Sequence, residues 1–199
     1  RSIEDIRDAV ERGDVKPTKL QAMGLKYYDD FQMPLTAQSV NTVGKLVRIA
    51  AGSSRETMIV GSFRRKVYDP ILKVKRPGNE IAEFRTKDVD ILIVDDDKHH
   101  NTLKEIIAAL EKVASVEFAA VGEHQCMGAI LIPSLGKFKR IDIFVCTSEE
   151  LPCALLAHTG PAGYNVQMRQ VAHEKGWTLN EHHLKDEKDN IIETKTEAD

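Results

Sequence analysis

The chain has 199 residues, with 28 Lys and Arg against 31 Asp and Glu and a formal net charge of -3. That length suits one large domain or two small ones with a sizeable core, and the charge balance excludes a polycationic binder that holds nucleic acid by charge alone. Cys126, Cys146 and Cys153 lack any Cys-x-x-Cys spacing, so neither a disulfide framework nor a zinc knuckle is indicated and a reducing compartment fits; no apolar run is long enough to span a membrane.

Ile3, Ile6 and Val10 recur at helical spacing, and Gly13 ends that run. Lys19 to Phe31 reads as a second helix, stopped at Met33-Pro34. Thr36 is placed to cap a longer helix carrying Val40, Val43, Leu46, Val47 and Ala50 on one face. These segments form a helical unit of roughly fifty residues, and Gly52-Ser53-Ser54 leads into sheet.

Strand patterns then follow at Thr57 to Val60, Val89 to Val94, Val116 to Val121, Met127 to Ile132 and Lys139 to Val145. One helix interrupts them, with Leu103, Ile106, Ile107, Leu110 and Val113 on its buried side and Asn101 near its start. Between Arg64 and Lys87 eight basic residues (Arg64, Arg65, Lys66, Lys73, Lys75, Arg76, Arg85, Lys87) face three acids, a stretch suited to phosphate contact. Within it, Val67 to Phe84, with Pro70, Pro77 and Gly78, reads as a loop or hairpin. Asp95-Asp96-Asp97 reads as a solvated turn, and His99, His100, His182 and His183 as surface residues without zinc spacing. Towards the end, Ser148 is placed to cap a helix beginning with Glu149, Glu150 and Pro152. Pro161 to Lys175 reads as another helix closed by Gly176, followed by a small hairpin from Trp177 to Leu184.

The chemistry centres on Gly61-Ser62-Phe63-Arg64-Arg65 and Asp88-Val89-Asp90. Side chains alternate along a strand, so Asp88 and Asp90 share one face while Val89 and Ile91 enter the sheet. Two carboxylates on one face repel unless a cation neutralises them, and Mg2+ prefers oxygen ligands of this kind. A glycine turn with a hydroxyl and two guanidinium groups is the usual dress of a phosphate site. Asp142, between Ile141 and Ile143, supplies a third acid, because a lone carboxylate among apolar neighbours is costly unless paired or metal-bound. Three such groups are the donor set of a two-metal phosphoryl-transfer site. The alternative for Asp142 is a strand end facing water.

With these residues in view, the sequence resembles the family X DNA polymerases. The likeness rests on Gly24-Leu25-Lys26-Tyr27-Tyr28-Asp29-Asp30-Phe31, Gly61 to Arg65 with Asp88-Val89-Asp90, Arg140-Ile141-Asp142, and His158-Thr159-Gly160 with Asn165, Met168 and Arg169. Leu179-Asn180-Glu181-His182 extends the last block. The resemblance implies an α+β nucleotidyltransferase fold: a helical DNA-binding subdomain (1-52), a catalytic palm (53-147) whose mixed sheet carries the acids, and a nucleotide-binding subdomain (148-199).

The resemblance also implies that Asp88, Asp90 and Asp142 hold two Mg2+ ions, with Mn2+ as a substitute, and that Asp142 lies nearest the primer 3'-hydroxyl. Gly61, Ser62 and Arg65 match the triphosphate cradle, Gly160 and Asn165 the nucleotide sugar and base edge, Arg140 the primer terminus, and Arg169 and His182 the template strand. The expected activity is template-dependent addition of deoxynucleotides to a primer 3'-end, as in short-gap filling during base excision repair. The expected partners are primer-template or gapped DNA and deoxynucleoside triphosphates, without a membrane, for a monomeric nuclear enzyme. Two other readings stay open: a template-independent nucleotidyltransferase, and a catalytically weak binder of DNA gaps or ends. The family's helix-hairpin-helix clamp and any lyase domain would precede Arg1, and its last helix would begin near Thr196. Departures from the family pattern are Ala157-His158 for an aromatic pair, Lys87 for a glycine, Leu35 for a triphosphate-reaching arginine, and Pro161 after Thr-Gly, where relatives carry a cis peptide.

Overall fold

A computed structural model describes residues 2–69, 74–75, 83–97 and 101–199. The helical unit comprises α1 (Ile3–Glu11), α2 (Lys19–Lys26), α3 (Tyr28–Gln32) and α4 (Ala37–Ala51). Reciprocal capping boxes start α1 at Ser2 and α2 at Thr18, and the Thr36 hydroxyl accepts from the Ser39 amide at the start of α4. The helix expected from Lys19 to Phe31 is in fact two. It breaks at Tyr27, whose hydroxyl donates to Glu117 at 2.8 Å and whose ring stacks on Phe138 at 4.4 Å, turning the chain onto the sheet.

The five-stranded mixed sheet uses β1 (Glu56–Ile59), β4 (Asp88–Val94), β5 (Val116–Val121), β6 (Gln125–Ile132) and β7 (Lys137–Cys146), in the order β1-β4-β7-β6-β5. Only β4 and β7 run parallel; every other pair is antiparallel. Gly61-Ser62-Phe63-Arg64-Arg65 is not a turn but the start of helix α5 (Gly61–Val67), entered through Gly61 at φ +60°. The short strands β2 (Tyr68–Asp69) and β3 (Val74–Lys75) pair as the expected hairpin; Pro70, Lys73, Arg76, Pro77 and Gly78 lie outside the described residues.

One face of the sheet is the main core. Val89, Ile91, Ile93, Ile141 and Ile143 pack there against Val40, Val43 and Val47 of α4 and Leu103, Ile106 and Leu110 of α6 (Thr102–Leu110). Val113 is not on that buried side: α6 ends at Leu110 and Val113 is half-exposed. The other face is covered at both ends. Leu92, Val94 and Cys146 pack under α7 (Leu151–Thr159), while Ala129 and Phe138 meet Met23 and Phe31 of α2 and α3. The middle of this second face, where Asp88 and Asp90 of β4 and Asp142 of β7 project, lies between those covers. A groove of about 800 Å³ opens there, reaching from α1 and α2 to Lys87, Arg140 and Asp142.

The C-terminal part carries α7, α8 (Ala162–Glu174) and a three-stranded sheet of β8 (Thr178–Leu179), β9 (Leu184–Lys185) and β10 (Ile191–Ile192). The expected hairpin therefore has a third strand, two residues long and too short to leave a period-2 signal. Ser148 does not cap α7. Thr147 and Glu150 form the reciprocal pair instead, and Ser148 donates its amide and hydroxyl to Asp96. The Gly160-Pro161 peptide is trans, as is every described peptide bond. No helix among the described residues is long and apolar enough to cross a membrane.

Candidate active site

β4 and β7 lie side by side with Asp90 opposite Asp142 and Asp88 opposite Arg140. In a parallel pair, residues in register share a face, so Asp88, Asp90 and Asp142 project from the same side of adjacent strands. Burial raises the Asp90 carboxyl first, and Asp88 and Asp142 push it further, to about 7, against the pull of Arg140 and Arg65. Asp142 is likewise raised by burial, to about 6, with Arg140 opposing and Asp88 adding. Carboxyls raised by burial and by the charge of neighbouring carboxylates mark a site with more negative charge than its protein surroundings neutralise.

Gly61 is fixed against these acids. The Val60 amide donates to the Asp90 carbonyl at 2.9 Å, and a Cβ built on Gly61 would lie 1.9 Å from Asp90 Oδ2. With φ at +60°, no other residue fits without displacing the carboxylate. Thr86 ties the next two parts together. Its hydroxyl donates to Asp88 Oδ1 at 3.0 Å and, having one proton, accepts from Ser62 Oγ at 2.9 Å. The other Asp88 oxygen accepts from Arg140 Nη2 at 2.6 Å. Both Asp88 oxygens thus have protein partners, and among the described residues no group of three His, Cys, Asp or Glu side chains is arranged as a metal cage. Sequence reasoning overlooked Thr86; a hydroxyl residue two positions before Asp88 was its available signal.

Arg64 and Arg65 divide their work. Arg64 is buried, donating to both oxygens of Glu197 at 2.6 Å and to Thr159 Oγ1 at 2.8 Å, which removes it from the expected phosphate-contact stretch. Arg65 donates Nη1 to the Thr159 carbonyl at 2.5 Å, and its charge lowers Asp90. Lys87 reaches Gln32 Oε1 at 2.9 Å, and Leu35, fully buried in the core, points nowhere near solvent.

The remaining predicted contacts sit on the C-terminal part. Gly160 closes α7, and a Cβ there would meet Asn165 Oδ1 at 2.7 Å. Asn165 donates Nδ2 to the Ala157 carbonyl at 2.6 Å, leaving a buried Oδ1 without a hydrogen-bond partner among the described residues. Arg169 lies 3.5 Å from Glu181, and His182 Nδ1 lies 2.9 Å from Glu150 Oε1. His182 and His183 are half-buried rather than surface residues, because the turn from Asn180 to His183 folds onto Glu150 and Asn180; His99 and His100 lie outside the described residues. His158, in place of an aromatic residue, still stacks on Phe144, with centroids 3.8 Å apart, and burial depresses its pKa.

Residues 154–199 match the family model of the DNA polymerase beta thumb. Rat DNA polymerase lambda is 30% identical over 196 residues, which cover 92% of this chain and 30% of that polymerase. These likenesses support a family X DNA polymerase. Repair DNA polymerase X of African swine fever virus, from a Kenyan pig isolate, is 29% identical over 142 residues, covering 71% of this chain and 68% of the viral protein; the version from a Malawian tick isolate is 28% identical over the same length. The chain thus spans less than a third of the rat relative. The mixed sheet with helices on both faces, and a thumb matching that of polymerase beta, is the fold expected of a family X polymerase.

Proposed function

We propose that this chain carries the catalytic portion of a template-dependent DNA polymerase that adds deoxynucleotides to a primer 3'-end, in short-gap repair synthesis. The observation that carries this reading is the in-register pairing of Asp90 with Asp142 on adjacent parallel strands, with Asp88 on the same face and Gly61 pressed against Asp90. Three carboxylates on one face, of which Arg140 offsets only Asp88 directly, suit two Mg2+ ions, or Mn2+, and Asp88, Asp90 and Asp142 are the residues that would hold them. When bound, such ions supply charge neutralisation for an in-line displacement at phosphorus.

The chain's own groups do the rest. Asp142, raised by burial in the metal-free chain and in register with Asp90, is the acid placed nearest the primer 3'-hydroxyl and helps that group ionise. Gly61 lets backbone approach closely, Ser62 brings a hydroxyl, and Arg65 offers a guanidinium fork to a triphosphate. Arg140 holds Asp88 at 2.6 Å, a pair that would have to open for Asp88 to take a cation through that oxygen. Gly160 and Asn165 serve the nucleotide, and Arg169 and His182 serve the template strand.

Extension of a labelled primer on gapped duplex, with Mg2+ and each deoxynucleotide in turn, tests the reading. Addition of the templated base, lost by about 10³-fold or more in Asp142→Asn, is expected. Equal addition without template favours the template-independent alternative. A second reading, a weak catalyst that binds DNA gaps, is favoured by the closed Asp88–Arg140 pair and the buried Leu35; gap binding with no incorporation at any Mg2+ or Mn2+ concentration would select it.

A further inference from the structure

Lys139 is fully buried, on the β7 face that also carries Ile141 and Ile143. Its ammonium donates to the backbone carbonyls of Asp30 and Met33, the latter at 2.6 Å. Burial depresses its pKa below the ordinary 10.5, with Asp30 opposing and Lys137 adding. An apolar side chain would fill this core position without desolvating a charge, so what the ammonium holds matters more than the space it takes.

It holds the exit from α3. Met33 leads through Pro34 to Leu35, whose amide donates to the Thr86 carbonyl at 2.6 Å and whose carbonyl accepts from the Thr86 amide at 3.2 Å. Thr86 in turn places the hydroxyl shared by Ser62 and Asp88. The neighbours of Lys139 grip the same helix end: Lys137 Nζ lies 2.9 Å from Asp30 Oδ1, and the Phe138 amide donates to Asp30 Oδ2 at 3.0 Å.

We propose that Lys139 is a positioning residue: by fixing the Met33–Leu35 segment it sets, through the Leu35–Thr86 bridge, the hydroxyl that orients Asp88 and Ser62. This rests on the reading of Asp88 as a metal carboxylate. Groups one step behind a metal ligand typically change metal affinity by about 10- to 100-fold when removed, and groups acting through one another give non-additive changes.

The test is Mn2+ binding to the whole chain, followed by electron paramagnetic resonance, for Lys139→Met, Thr86→Val and the double variant, with Lys139→Gln as a milder neutral replacement. Expected are losses of about fivefold for Lys139→Met and about tenfold for Thr86→Val, with the double variant no weaker than Thr86→Val alone. Additive losses, or unchanged affinity in a folded Lys139→Met protein, overturn the proposal, as does failure of both Lys139 variants to fold, which would make the lysine a fold residue. If the unsubstituted chain binds no Mn2+, the metal reading fails by itself and amide hydrogen exchange decides the relay: faster exchange at Leu35 and Thr86 in Lys139→Met or Lys139→Gln supports it, and unchanged exchange overturns it.

Discussion

β4 ends in a carboxylate cluster on both sides, and the two clusters are built differently. At its C-terminal end the Asp95 side chain is 7% exposed, yet Arg55 donates to it at 2.7 Å, Thr102 at 2.7 Å and the Asp97 amide at 3.0 Å. Burial pushes that carboxyl up, but Thr102, Asp97 and Arg55 together bring it below its ordinary 3.8. At the N-terminal end Asp90 meets two further carboxylates and is raised to about 7. An acid ringed by donors is part of the scaffold; an acid ringed by acids carries charge that its protein neighbours leave in excess, which is what the proposed cation site requires.

Substituting one member of each cluster separates these roles most strongly. Asp90→Asn removes a repelled charge, so incorporation should fall by about 10³-fold or more while the metal-free protein melts higher, by about 1–2 kcal/mol. A variant that loses activity together with stability would make Asp90 a scaffold acid like Asp95. Asp95→Ala should do the reverse. It leaves Arg55 buried with Glu105 as its remaining acid, at a cost of about 3 kcal/mol in chemical denaturation, while incorporation per folded molecule stays within severalfold. Next in size is Gly61→Ala. A Cβ 1.9 Å from Asp90 Oδ2 and a φ of +60° together should cost about 2–3 kcal/mol and about 10²-fold in incorporation; a mild effect on both would mean that Asp90 has room to move.

The difference between the two clusters was only half legible in the sequence. Alternation placed Asp88 and Asp90 on one face, and Ile141 and Ile143 marked Asp142 as buried, because period-2 patterning is a local property. Strand ranges and the Thr36 cap came from equally local signals. Asp95-Asp96-Asp97 looked like a solvated turn since three adjacent acids usually are, whereas the cation that buries Asp95 comes from Arg55, forty residues away. Arg64 and Arg65 are neighbours of like chemistry, and nothing local assigns one to Glu197 and the other to the Thr159 carbonyl. Long-range pairing decides which charges are structural, and pairing between distant segments is what a single sequence leaves open.

The smallest expected effect is also the one whose sign divides the clusters. Asp90 titrates at about 7 in the fold and near 3.8 when unfolded, and Asp142 at about 6 against the same unfolded value. Between those values the native state binds more protons, so stability is greatest at the acid side and falls as pH rises through the window. For metal-free protein the fall between pH 5 and 7.5 should be about 2 kcal/mol, less than two independent groups would give because the pair shares it. Asp95 contributes with opposite sign: its depressed value gives stability that is present above 3.8 and lost as pH falls through the native value. Denaturation midpoints from pH 3 to 8 should therefore rise and then decline, and Asp90→Asn should flatten the decline while leaving the acid limb unchanged. Added Mg2+ should flatten the same limb in the unsubstituted chain, since a bound cation replaces the proton as the group that neutralises the pair. A decline that persists in Asp90→Asn, or that Mg2+ leaves untouched, would move the excess charge away from β4 and with it the reason for treating its two ends as different.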